Sequence, residues 1–316
     1  MADKEEGRGM SLLAGSAEVD LLITDSGLGG LSVCAEVVRN LKRQRSCRSA
    51  RITYFNAWPE QERGYNRFDG LEERARVFDG ALRGMARFDP DLILIACNTL
   101  SALYGRTRFS REATVPVIDI IGFGVEMIAQ GLAAQPDSLA LILGTPTTVE
   151  AGVHRSRLLE RGIEAGRIVQ QPCDRLAGEI EKGPGSAAVR EMIGRYARQA
   201  ALKAGDAGRP VLAALCCTHY GYAEGIFREK LEEAFTGPVT LLNPNGAMAA
   251  SLFDGGGPAA CEEPGAPGAQ VTVAAVSRIV LSREKIDAIA TILEAASPET
   301  AAALRHYRYD PELFTF

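Results

Sequence analysis

Along this chain short apolar runs alternate with longer stretches whose apolar residues recur every third or fourth position. The runs Val19–Thr24, Arg51–Phe55, Leu92–Ala96, Val115–Ile120, Leu139–Leu143, Arg167–Gln170, Val211–Leu215 and Val239–Leu242 are mostly Val, Ile and Leu and predict strands. Between them Leu31–Leu41, Leu71–Met85, Ala151–Arg161, Ala187–Lys203 and Ala223–Ala234 carry the period of amphipathic helices. Strands that alternate with helices form βαβ units, and runs apolar at every position belong to parallel strands covered on both faces. The predicted class is α/β, with mainly parallel, doubly wound sheets.

The pattern also echoes itself. One strand ends in Asp25-Ser26-Gly27 and another in Gly144-Thr145-Pro146-Thr147-Thr148, and each part of the chain later reaches a strand that ends in cysteine. Two similar lobes facing across a cleft would set Cys97 opposite Cys217. Glycine and proline crowd 254–270, which predicts a surface loop. The end of the chain predicts a short helix, Glu299–Arg305, and an aromatic tail of Tyr307, Tyr309, Phe314 and Phe316 that docks on the body or on a second subunit, the body being preferred.

Composition narrows the classes. The chain has 316 residues, 46% hydrophobic and 24% charged, the balance of a soluble globular protein large enough for two domains. A net charge of -5 without a dense basic stretch argues against nucleic acid, and no apolar run is long enough for a membrane span. Residues 1–17 read as a flexible leader on a cytoplasmic protein, since their one apolar piece is too short for a signal-peptide core. Seven irregularly spaced cysteines do not make a secreted disulfide framework and should stay reduced. Cys34, in a helical pattern, and Cys47, in a basic surface stretch, look structural or incidental, and Cys261, in the Gly/Pro-rich loop, an exposed bystander.

Candidate chemistry lies where open α/β sheets place ligands, just past the carboxyl ends of strands. Leu92–Ala96 leads into Cys97-Asn98-Thr99, and Val211–Cys216 leads into Cys217-Thr218-His219. A thiol with a pKa of about 8.5, lowered by a helix N-terminus or a cationic neighbour, keeps a usable thiolate fraction at neutral pH. Two such thiols suit a site where one removes a proton and the other supplies one. His219 would hold the proton of Cys217 or polarise a substrate. A buried apolar role is the plain alternative for either cysteine. A zinc site from Cys97, Cys216, Cys217 and His219 is disfavoured, because adjacent strand residues face opposite ways and the usual C-x₂₋₄-C spacing is absent. Asp25-Ser26-Gly27-Leu28-Gly29-Gly30-Leu31 follows a strand and opens a helix, so its amides suit a small carboxylate. It lacks the third glycine of a dinucleotide fingerprint, and Asp25 is alternatively only a helix cap.

At these residues the chain resembles the cofactor-independent aspartate/glutamate racemase superfamily, glutamate racemases above all. The resemblance rests on Thr24-Asp25-Ser26-Gly27-Leu28-Gly29-Gly30-Leu31, Ala96-Cys97-Asn98-Thr99-Leu100-Ser101-Ala102 and Cys217-Thr218-His219-Tyr220, with weaker similarity at 115–118, 144–149 and 173–183. It implies two pseudo-symmetric α/β domains with the active site between them, the first formed by 18–121 and 222–316, the second by 122–221. It implies Cys97 and Cys217 as the acid–base pair, Asp25 assisting Cys97, and Glu181 and His219 assisting Cys217. Ser26, Asn98, Thr99 and Thr218 would hold the amino and carboxylate groups of a small amino-acid substrate. No metal, pyridoxal phosphate or nucleotide is implied. The expected activity is interconversion of L- and D-glutamate or a related acidic amino acid, serving peptidoglycan synthesis, with a possible homodimer.

The chain departs from that pattern in two places: from about Glu262 on it lacks the family's usual ending and adds the aromatic tail, and its tyrosine element is altered. Glutamate racemases carry a Pro-Tyr-Gly element that grips a substrate carboxylate, where this chain reads Arg63-Gly64-Tyr65-Asn66-Arg67. Arg63 or Arg67 would be a replacement charge if either faced the site. The altered tyrosine element leaves open an isomerase, decarboxylase or hydantoin racemase of the same superfamily. A non-catalytic amino-acid-binding protein is the alternative from another class.

Overall fold

The structure is a computed structural model describing residues 18–44, 47–205, 208–253 and 269–316. The leader predicted over 1–17, Cys261 and most of the predicted loop lie outside the described residues. Two parallel sheets organise the chain. The first contains β1 (Glu18–Asp25), β2 (Ser49–Asn56), β3 (Leu92–Ile95), β4 (Val117–Asp119), β9 (Gln270–Ser277) and β10 (Arg308–Tyr309), in the order β10-β9-β2-β1-β3-β4. The second contains β5 (Leu139–Gly144), β6 (Ile168–Pro172), β7 (Val211–Cys216) and β8 (Val239–Leu242), in the order β6-β5-β7-β8.

The continuous apolar runs have the expected cause: both faces are covered. Along β1 and β3, Leu21, Ile23, Leu92 and Leu94 face one core with the helices Leu31–Gln44, Arg283–Glu294 and Pro298–Arg305, while Leu22, Ile93 and Ile95 face another with Gly70–Ala86 and Asn98–Tyr104. In β7, Ala213 and Leu215 likewise face away from Leu212, Ala214 and Cys216. Each such Leu or Ile contributes about 1.5–3 kcal/mol by leaving water.

All eight predicted strands form, and the differences are local. The predicted helix Ala151–Arg161 is split at Gly152, whose φ of 65° ends Pro146–Ala151 and admits Val153–Glu160. β8 pairs with β7, so the chain stays with the second sheet to Leu242 and does not leave it at residue 222. Helix Pro244–Ser251 then packs against both Leu31–Gln44 and Ile121–Ala134 and carries the chain back. β9 and β10 have no counterpart among the predicted strands; β9, with its exposed Thr272 and Ala274, is held in the sheet by pairing with β2 along its length and with β10 at its end.

Cys47 is not a surface residue: it is buried in the first core, as Cys34 is. The aromatic tail docks on the body. Phe314 is buried, its ring 5.8 Å from Phe55, and Phe316 sits edge-on 5.9 Å from Phe68. No helix among the described residues is long and apolar enough to cross a membrane.

Candidate active site

Each sheet has one point where chain connections leave in opposite directions, between β1 and β3 in the first and between β5 and β7 in the second. Crevices at such points bind ligands in open α/β folds. Cys97 follows β3 and Cys217 follows β7, each in an extended conformation as the residue before a helical turn. Both side chains line one cavity of about 50 Å³, so the two switch points open onto the same space. Ser26, Asn98, Thr99, Glu181, Thr218 and His219 line it as well. Asp25 does not: it is fully buried behind them.

The Cys217 side is a connected array. The Cys217 Sγ lies 3.6 Å from His219 Nδ1, and His219 Nε2 lies 2.8 Å from Glu181 Oε1. Burial disfavours the charged imidazole, but its hydrogen bonds to Cys217 and Glu181 outweigh that and hold it well above its ordinary value. Burial likewise disfavours the Glu181 carboxylate, yet His219 and Lys285 bring it down to about 2. The pair is therefore an imidazolium on a carboxylate. On the other side Ser26 Oγ lies 3.2 Å from Cys97 Sγ. Burial, and then the charge of Asp25, push the Cys97 thiol up, so it rests protonated. Thr218 Oγ1 donates to Asp25 Oδ2 at 2.6 Å, while Asp25 Oδ1 has no partner. Burial raises this carboxyl to about 6, against the pull of His219 and Thr218.

The glycine-rich turn acts differently from the expectation. Its amide does hold a carboxylate, but that carboxylate is the protein's own: Leu28 N–H donates to Glu181 Oε1 at 2.8 Å. The glycines are needed for close approach. A Cβ at Gly27 would lie 2.5 Å from Glu181 Oε1, and one at Gly29 would lie 2.5 Å from Thr218 Oγ1.

The cavity wall includes residues to which the sequence pattern gave no role in the site. Trp58, Asn66 and Thr145 line it. Thr99 Oγ1 and Thr145 Oγ1 are 2.8 Å apart. His154 Nε2 lies 3.1 Å from Asn98 Oδ1. Burial lowers this histidine to about 3, so it is neutral and donates to Asn98, leaving Asn98 Nδ2 without a protein partner. At the altered tyrosine element Tyr65 turns inward onto Phe78, and Asn66 takes the cavity edge, accepting from Thr147 N–H at 3.0 Å and Thr147 Oγ1 at 2.6 Å. Neither Arg63 nor Arg67 lines the cavity; Arg63 stacks 3.8 Å over the Phe68 ring.

Cys216 packs in the core on the sheet face opposite Cys217. Among the described residues no three of His, Cys, Asp and Glu are placed to share a metal ion. A larger open groove of about 640 Å³, lined partly by Arg161, Arg167 and Arg209, contains no thiol or histidine.

The arrangement is that of an isomerase acting at a carbon acid. The pattern of the Asp/Glu/hydantoin racemase family matches residues 25–252, and the chain belongs to that family. It is 26% identical over 233 residues to the glutamate racemase of Aquifex pyrophilus, covering 73% of this chain and 81% of the relative. The crystal structure of glutamate racemase from Campylobacter jejuni superposes with a TM-score of 0.63 at 19% identity, covering 92% of this chain and 99% of that one. The Francisella tularensis enzyme, solved in complex with D-glutamate, gives 0.60 at 18% identity over 87% of this chain and 94% of that one. At these identities the structures establish the shared fold.

Proposed function

We propose that the protein interconverts L- and D-glutamate by proton transfer between Cys97 and Cys217. The observation that carries this is the meeting of the two thiols, one from each sheet, on one cavity. Curated relatives named glutamate racemase support the choice of substrate. In one direction Cys217, as a thiolate paired with the His219 imidazolium, takes the α-hydrogen as a proton. The electron pair left on carbon spreads into the substrate carboxylate. Cys97 gives its proton to the opposite face and becomes the thiolate, and the reverse reaction exchanges the roles. Asn98 Nδ2 and the Thr99 and Thr145 hydroxyls hold the carboxylate, and Ser26 and Thr218 orient the remaining polar groups. The substrate ammonium, drawn toward Asp25, supplies the positive charge that lets the Cys97 thiolate form. D-Glutamate for peptidoglycan is the corresponding product, made in the cytoplasm, where thiols stay reduced.

The test is incubation with L- or D-glutamate in D₂O. Deuterium at the α-carbon together with loss of optical rotation is expected. Absence of exchange with glutamate, when aspartate or a hydantoin exchanges, reassigns the substrate; amino-acid binding without any exchange removes the enzyme. Subunit pairing is tested by sedimentation of the full chain.

A further inference from the structure

The array behind Cys217 does not end at Glu181. Its two oxygens are divided: Oε1 meets His219 Nε2 and Leu28 N–H, and Oε2 lies 2.8 Å from Lys285 Nζ. Lys285 comes from helix Arg283–Glu294, beyond the residues that match the family, and this helix packs against Leu176–Lys182, which carries Glu181. We propose that Lys285 is a positioning residue for the reaction, acting on Cys217 through Glu181 and His219.

Charge balance favours this role. Two carboxylates, Asp25 and Glu181, are buried beside a single imidazolium, and Lys285 supplies the second positive charge. It does so from the rim: its side chain is 27% exposed, against 4% for Glu181, and its ammonium lies 5.8 Å from the ring centre of Trp58, which lines the cavity. Lys285 itself is not part of the lining, so it does not touch substrate. The other ionisable groups near Glu181 are accounted for. Tyr54 donates to Gly27 C=O at 2.7 Å and Tyr222 to Leu28 C=O at 3.0 Å, both phenols pushed well up by burial and therefore neutral. Lys182 pairs outward with Glu179 at 2.6 Å, and Glu284 and Arg283, on the helix of Lys285, make no ion pair with Glu181. Asp25, Glu181 and His219 remain as the groups that Lys285 influences.

The kinetic arm of the test rests on the racemase proposal, and a spectroscopic arm does not. Without the ammonium, Glu181 and His219 both bind protons more tightly. In Lys285→Met the acid and alkaline limbs of the pH profile of kcat/KM should therefore both move to higher pH, the acid limb by about one unit. KM should change less than kcat, and Lys285→Arg should restore the limbs. The Cε1–H resonance of His219, followed in parent and variant whether or not either racemises, should titrate at higher pH in Lys285→Met. Circular dichroism checks that each variant is folded. Limbs and resonance unmoved in folded Lys285→Met, or moved equally in Lys285→Arg, overturn the inference; a parent that racemises nothing overturns only the function.

Discussion

Leu28 donates its backbone N–H to Glu181 across 2.8 Å, and this bond joins the first strand-to-helix turn of one sheet to a helix beside the other. The same oxygen meets His219, so the turn and the histidine share one anchor. The bond places the His219–Glu181 pair of the second domain directly against the glycine turn of the first. The Cys217 array thus takes one of its hydrogen bonds from the other domain.

Removal of either thiol tests whether both are used. Cys97→Ser and Cys217→Ser should each lower racemisation about 10²–10⁴-fold, the range of positioned acid–base groups, with little change in unfolding free energy. Polarimetry and urea titration of the two variants measure the two quantities. Full activity in either variant would mean that one face of the substrate is served by something else.

Gly29 is a point of close approach between the domains. In Gly29→Ala the new methyl would meet Thr218 Oγ1 and, at 2.7 Å, the backbone N of His219, which cannot rotate away. Overpacking of this kind costs about 1–3 kcal/mol, and racemisation should fall with it as His219 is displaced. A thermal melt and an activity assay on one sample suffice, and an unchanged melting temperature would contradict the close approach.

Asp25 should leave a mark on stability. Its carboxyl is raised from 3.8 to about 6 by burial, so between these values the folded chain keeps a proton that the unfolded chain releases. Its contribution is therefore full below about pH 4 and is lost as pH rises through about 6, by on the order of 3 kcal/mol. Glu181, lowered to about 2, acts in the opposite sense and at lower pH, its stabilisation present above about 4.5 and lost as pH falls toward 2. Asp25→Asn should abolish the decline between pH 4 and 6 while sparing the acid limb, as read from urea midpoints across pH.

Trp58 is the chain's single tryptophan and lines the cavity, so its emission reports on the site alone. Glutamate should change that emission saturably in the parent. Asn98→Ala should weaken the response at least several-fold, because the amide nitrogen left without a protein partner is then gone. A flat titration in the parent, with racemisation intact, would mean that substrate does not reach the indole.

The tail makes a separate prediction about the fold. Phe314 is 3% exposed and packs on Phe55, so Phe314→Ala should cost about 3–5 kcal/mol. Denaturant unfolding monitored by circular dichroism gives the value. A cost below 1 kcal/mol would show that the tail is not docked in solution.

Much of the candidate site is readable in one dimension because it is local. Asp25, Ser26, Cys97, Asn98, Thr99, Cys217, Thr218 and His219 all stand at the ends of apolar strands, and the run itself signals both the strand and the ligand-bearing end. Glu181 is different. It sits within an ordinary helical stretch, and only the resemblance points to it, since nothing in its neighbourhood announces a buried carboxylate.

By itself the order of residues determined the α/β class, the eight strands whose two faces need cover, and the placing of two thiols at strand ends. Those features depend on periodicity and backbone direction over a few residues. Only the tertiary structure decided that Leu28 grips Glu181, that His154 orients Asn98, that Asn66 rather than Tyr65 takes the cavity edge, and that Lys285 pairs with Glu181. Each of these depends on a pairing between distant segments, where burial turns an ordinary polar side chain into one that must find a specific partner.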